Sequence, residues 1–157
     1  MIDTLRNLLG FARRPDKASL EHPPAGTGRI TFDARTLDLI ATARAFLGTP
    51  YLWGGTSGHG IDCSGFVQQV YRLNGVGLGR DADQQALEGR AANTPNAGDL
   101  LFFGSPTVTH VAMSLGGDDF IHAPMRSGFV EERKIGADRV PVAIRRYLLE
   151  IECATSG

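Results

Sequence analysis

The hydrophobic pattern of this 157-residue chain changes period near residue 99, and that change limits the folds open to it. Before it, apolar residues recur at spacings of three and four, the repeat of a helix with one buried face. After it, they come in short runs separated by Gly, Pro and Asp, as strands joined by tight turns do. Helices first and strands second is the order of an α+β domain, in which helices pack on an antiparallel sheet.

Asp33 offers an N-cap, and Leu37, Ile40, Ala41, Arg44 and Leu47 follow at helical spacing. Gly48 stands where a C′ glycine belongs, so a helix is expected over 34–47. Thr49-Pro50 ends it, and Tyr51-Leu52-Trp53-Gly54-Gly55 reads as an aromatic and glycine-rich loop. Asp62 is a second N-cap candidate, followed by Phe66, Val67, Val70 and Tyr71 and then Asn74-Gly75. That pattern predicts a helix over 63–74 with Cys63 in its first turn. Residues 81–89 suggest a third, short helix, led by Asp81. Strands are expected at 100–103, 111–115, 120–123, 129–135 and 142–148.

These elements place the folded unit at 32–150. Residues 1–31 read as an N-terminal segment and linker, with Pro15, Pro23, Pro24, Gly26 and Gly28, and 151–157 as a flexible tail carrying Cys153. Ile2, Leu5, Leu8 and Leu9 fit one face of a short amphipathic helix over 1–11, read as a helix packed on the domain or a remnant of a longer chain, with a surface or membrane contact as the alternative. The N-terminus lacks a basic n-region, and Asp3 and Arg6 break its apolar stretch, so no secretory signal peptide is expected. A cytoplasmic location follows, or the cell envelope or a non-Sec delivery route if the natural chain is longer. With 16 basic and 17 acidic residues, nothing calls for nucleic acid or an anionic membrane as partner. No stretch is apolar and long enough to span a bilayer. Two cysteines are too few for a disulfide scaffold and no CxxC occurs; no cofactor and no metal are expected.

A cysteine in the first turn of a helix sees unpaired N–H groups and the positive end of the dipole, which favour its thiolate. Its own N–H would point to where an acyl oxyanion forms. Alone, such a cysteine equally suits a small buried filler. A nucleophilic cysteine needs a base, and the base needs an orienting group. Of the four histidines, His22 lies in the linker, His59 in a glycine-rich loop, His110 at a strand start and His122 within the next strand. If Gly116-Gly117-Asp118 forms a three-residue loop, Leu115 pairs with Asp119 and Ala112 with His122. His110 and His122 then share a face as diagonal neighbours, about 7–8 Å apart and within reach of each other. A register shift of one would put them on opposite faces. Two histidines on neighbouring strands also fit metal binding, but no third ligand stands at the usual spacing.

The motifs Tyr51-Leu52-Trp53-Gly54-Gly55 and Asp62-Cys63-Ser64-Gly65-Phe66 resemble the signature of NlpC/P60 peptidases. Arg80-Asp81-Ala82-Asp83-Gln84-Gln85, Gly98-Asp99-Leu100-Leu101-Phe102-Phe103, His110-Val111-Ala112-Met113-Ser114-Leu115-Gly116 and Phe120-Ile121-His122-Ala123 resemble later segments of the same family, in the same order. The resemblance spans about 46–135.

It implies a papain-like core with N-terminal helices packed on a five- to six-stranded antiparallel sheet. It also implies a Cys63-His110-His122 triad acting through a thioester on peptidoglycan stem peptides, between D-glutamate and the diamino acid. Tyr51 matches a tyrosine near the oxyanion position. Asp62 and Ser64 match residues that grip a free substrate amine in some members, and Asp62 also suits a helix cap. Members that recognise dipeptides carry an SH3-like domain closing the site. About 30 residues precede the core here, too few for such a barrel, so the expectation is either a lone catalytic domain or closure supplied by another domain or partner protein. Arg126, in the insertion after His122, reads as exposed, with contact to a substrate carboxylate as the alternative. The alternatives are a papain-like amidase or acyltransferase on another substrate, and an inactive binding module.

Overall fold

The computed structural model describes residues 34–148. The expected cap Asp33, the amphipathic stretch 1–11 and the tail with Cys153 lie outside the described residues.

Helix α1 (Ala34–Ala45) leads through a turn into the aromatic loop, and Gly48 adopts φ +81° as a C-terminal glycine should. A two-strand ribbon, β1 (Thr56–Ser57) and β2 (Gly60–Ile61), then delivers the chain to α2 (Cys63–Leu73). After α3 (Ala82–Gln85) come β3 (Arg90–Ala91), β4 (Leu100–Phe103), β5 (His110–Gly116), β6 (Asp119–His122), β7 (Glu131–Lys134) and β8 (Ala143–Arg146). These six strands form one antiparallel sheet in the order β3-β8-β4-β5-β6-β7. The fold is α+β, as the order of periodicities predicts.

Alternation sorts the sheet's two faces. Leu100, Phe102, Val111, Met113 and Ile121 join one core with Leu39, Ala43, Phe66, Val67 and Val70 from the helices. Leu101, Phe103, Ala112 and Phe120 form a smaller cluster on the other face. Helix α2 is the central element: Phe66, Val67, Val70 and Tyr71 have no exposed surface. Phe66 meets Phe46 edge-on at 5.9 Å, and the Tyr71 hydroxyl donates to the Gly98 carbonyl. Burying four such side chains is worth on the order of 2 kcal/mol each, so α2 is held chiefly by its packing.

Several expectations are corrected. In α1 and the turn after it, Leu37, Ala41, Arg44 and Leu47 are exposed, and the buried residues include Thr36, Leu39, Ile40, Ala43 and Phe46. The large residues lie around much of the helix, so spacing finds the helix while the neighbouring α2 selects its face. One contact on that side is Asn74 Nδ2 donating to Thr42 Oγ1 at 3.0 Å. Helix α3 has four residues rather than the span 81–89. The Tyr147 hydroxyl takes the Gln85 carbonyl and Arg145 Nε the Ala86 carbonyl, groups that a longer helix would use itself. Strand β3 and the β1–β2 ribbon carry too few apolar residues to be read from pattern.

The β5–β6 turn differs in an instructive way. Gly116, not Leu115, pairs with Asp119, and a bulge lies between Ser114 and Gly116. Gly116 and Gly117 take φ +100° and +57°, conformations that favour glycine. The bulge absorbs the extra residue, so Met113 still pairs with Ile121, the register that places Ala112 opposite His122. No helix among the described residues is long and apolar enough to cross a membrane.

Candidate active site

Asp62 caps α2 with extended backbone (φ −96°, ψ 177°), and its Oδ1 accepts from Gly65 N–H at 2.7 Å. Its Oδ2 accepts from Gly54 N–H at 3.0 Å, tying the aromatic loop to the helix start. Two glycines make this approach possible. A Cβ on Gly65 would lie 2.4 Å from the Gly55 carbonyl oxygen, and one on Gly55 would lie 2.3 Å from that of Gly60. At these two points backbone packs directly on backbone, next to the helix start that carries Cys63.

Cys63 is half-buried at the start of α2, and the backbone N–H of Val111 in β5 reaches its sulfur. The expectation of a lowered thiol pKa is overturned. Burial pushes the Cys63 thiol above its ordinary value, the Val111, Ser64 and Cys63 N–H groups pull the other way, and the Asp62 carboxylate pushes further up. The helix-start N–H groups act in the expected direction, but desolvation is larger.

His110 Nε2 and His122 Nδ1 lie 2.8 Å apart, with the rings at 77°. The predicted shared face is thus realised as direct contact. Phe120 packs edge-on to His122 at 4.8 Å, and Phe103 lies 6.0 Å from His110, so the pair sits in apolar surroundings. His122 is 1% exposed. Burial, and then His122, push His110 down to about 3; burial likewise takes His122 to about 4, against the pull of Glu131. Both rings are neutral at pH 7.

Tyr51 lies close enough to Cys63 and Asp62 for their charges to add to burial in raising its phenol. Ser64 Oγ donates to Asp62 Oδ1 at 3.3 Å. His59 is exposed on the β1–β2 turn, away from this group, and Arg126 is exposed as expected.

Two charged neighbours escaped the reading of the sequence. Arg80 clamps Asp62 with Nη2 to Oδ2 at 2.8 Å and Nη1 to Oδ1 at 3.1 Å, and Nη1 also donates to Ser64 Oγ at 2.9 Å. This pair and the N–H groups of Gly65 and Gly54 hold the Asp62 carboxyl below the usual carboxylate range, although burial opposes them. Each Asp62 oxygen is thus already shared, and the pair is charge-neutral. The other neighbour is Glu131, opposite His122 in the β6–β7 register, with Oε1 3.5 Å from His122 Nε2. Its position could have been found only by counting across a loop too irregular to count. Behind Arg80, buried Gln85 donates to the Ser64 carbonyl at 3.1 Å and the Gly79 carbonyl at 2.8 Å, anchoring the Arg80 segment to α2. Among the described residues, no group of three or more His, Cys, Asp or Glu is arranged to hold a metal ion.

The arrangement offers a thiol at a helix N-terminus, N–H groups for an oxyanion, and a neutral imidazole backed by a second one. Comparison with known proteins agrees with that chemistry. A γ-D-glutamyl-L-lysine dipeptidyl-peptidase of Bacillus subtilis is 43% identical over 100 residues, covering 60% of this chain and 34% of the relative. The chain spans about a third of the length of the curated relatives of this name. A crystal structure of an NlpC/P60 family protein from Bacillus cereus superposes with TM-score 0.68 at 38% identity, covering 73% of this chain and 40% of that one. The NlpC/p60 domain of the peptidoglycan hydrolase SagA superposes with TM-score 0.65 at 36% identity, over 71% of this chain and 97% of the domain. The profile of the NlpC/P60 family matches residues 48–140, a span that holds α2, the histidine hairpin and Arg80, and on that match the chain belongs to the NlpC/P60 family.

Proposed function

We propose that this chain is a thiol endopeptidase that hydrolyses peptidoglycan stem peptides between D-glutamate and the diamino acid. The observation that carries the reading is the 2.8 Å contact between His110 and His122 on the strand pair whose Val111 N–H meets the Cys63 sulfur. The substrate class rests on relatives named for γ-D-glutamyl-L-lysine dipeptidyl-peptidase and peptidoglycan hydrolase activity.

In this reading Cys63 is a thiol and His110 a neutral imidazole before substrate binds, because burial disfavours both charges. The thiol proton passes to His110 as the sulfur bonds to the amide carbon. The oxyanion is met by the Cys63 N–H and the Tyr51 phenol. Collapse breaks the C–N bond, and His110 returns its proton to the leaving amine. Water, deprotonated by His110, then hydrolyses the thioester. Asp62 and Ser64, held by Arg80, border the substrate's N-terminal side. A closing domain or partner protein belongs to the same reading: the adjacent Leu52 and Trp53 are 57% and 80% exposed in the loop that Gly54 ties to Asp62.

The test is incubation with L-Ala-γ-D-Glu-diaminopimelate and L-Ala-γ-D-Glu-L-Lys, each with a free or an acetylated alanine amine, beside Cys63→Ala. Cleavage lost in the variant supports the reading. Cleavage of the free peptides alone assigns the Asp62–Ser64 pair to the amine, and equal cleavage of both forms assigns it to holding Arg80. No cleavage by the wild type, alone or with a closing partner, overturns it.

A further inference from the structure

A buried nitrogen without a close acceptor points to a fourth member of the catalytic relay. His122 Nε2 is buried and makes no hydrogen bond within ordinary length. The nearest acceptor is Glu131 Oε1 at 3.5 Å, an oxygen that also receives Arg133 Nε at 2.9 Å. Glu131 stands directly across from His122, and its side chain is 18% exposed.

The tautomers follow from the geometry. His110 Nε2 is committed to His122 Nδ1, so Nδ1 is the nitrogen left to take a proton from the thiol. A neutral His110 with a free Nδ1 carries its proton on Nε2 and donates to His122. His122 Nδ1 must then be an acceptor, and the His122 proton sits on Nε2. In the opposite arrangement His122 donates through Nδ1, the His110 proton moves to Nδ1, and the base is blocked. The two arrangements have the same contact between the rings. What separates them is whether His122 Nε2 presents a hydrogen or a lone pair to Glu131. A carboxylate favours the hydrogen, because it can only accept.

We propose that Glu131 is a positioning residue that selects the competent tautomer of both histidines, with Arg133 fixing the carboxylate. The proposal rests on His110 being the base. Glu131 touches neither thiol nor substrate; it acts through His122. Of the other groups nearby, Ser127 helps to hold the Glu131 carboxyl low, and the charge of Arg139 is felt at both histidine rings.

The experiment is ¹⁵N-resolved NMR of the histidine rings in the wild type and in Glu131→Ala and Glu131→Gln, with kcat and KM measured on the peptide. Expected in the wild type is His122 protonated on Nε2. Glu131→Ala moves His122 toward the Nδ1–H form and lowers kcat about 10- to 100-fold with KM unchanged, less than the about 10²–10⁴-fold expected for losing a general base. Glu131→Gln retains most activity, because its amide oxygen still accepts. A wild-type His122 protonated on Nδ1, or unchanged tautomers and kcat in Glu131→Ala, overturns the proposal. Should Glu131→Ala fail to fold, Glu131→Lys replaces it: an ammonium opposite His122 Nε2 can only donate, so His122 should shift to the Nδ1–H form, and an unchanged tautomer overturns the proposal. The spectrum needs no substrate, so a wrong substrate class leaves the peptide uncut without touching this result.

Discussion

Acidification from pH 7 to pH 5 should destabilise this domain through its two buried histidines. In the unfolded chain each imidazole has a pKa of about 6.5. In the fold burial holds His110 at about 3 and His122 at about 4. Between these values the unfolded state binds protons that the native state refuses, so stability falls as pH falls below about 6.5. From pH 7 to pH 5 the ratio of proton-binding factors costs about 2 kcal/mol for each ring, roughly 4 together. Set against a typical stability of about 5–15 kcal/mol, that is a large share. Asp62, held low by Arg80, keeps its contribution through this window. The assay is urea unfolding followed by far-UV circular dichroism at half-unit steps from pH 7.5 to 5, since exposed Trp53 would be a poor fluorescence reporter. The same series on His122→Gln should lose about half of the slope, and on His110→Gln/His122→Gln nearly all of it. A double variant with the wild-type slope would refute the reasoning, because the protons would then be going elsewhere.

Three further outcomes are expected. In a Cys153→Ser background, iodoacetamide should alkylate Cys63 slowly at pH 7, with a rate still rising above pH 8.5, and Asp62→Asn should move that profile to lower pH by removing a charge that raises the thiol; a plateau below pH 7 in the wild type would contradict the burial argument. Gly65→Ala should cost about 2 kcal/mol in urea unfolding, because the new methyl meets the Gly55 carbonyl oxygen at 2.4 Å and Asp62 Oδ1 at 2.9 Å, neither free to withdraw. Arg146→Met should cost about 3 kcal/mol by stranding Asp99, which is 3% exposed and held by Arg146 at 2.8 and 2.9 Å, and adding Asp99→Asn should recover part of that loss.

Local patterns settled much of this protein. The 3–4 spacing over 63–73, the Asp62 cap and Asn74-Gly75 define α2 and put Cys63 at its start, since a cap and an amphipathic stripe are short-range properties. The strand alternation put His110 and His122 on one face, and the glycines at 116 and 117 kept them there. The tertiary structure decided what no local pattern holds. Which stripe of α1 is buried depends on the helix it meets. The Cys63 thiol is raised because desolvation by packed neighbours exceeds the pull of the helix start. Arg80 reaches Asp62 across 18 residues, and Glu131 faces His122 only through strand pairing beyond an irregular loop. Helix starts and strand faces are set by neighbours in the chain; protonation states and ion pairs are set by neighbours in space.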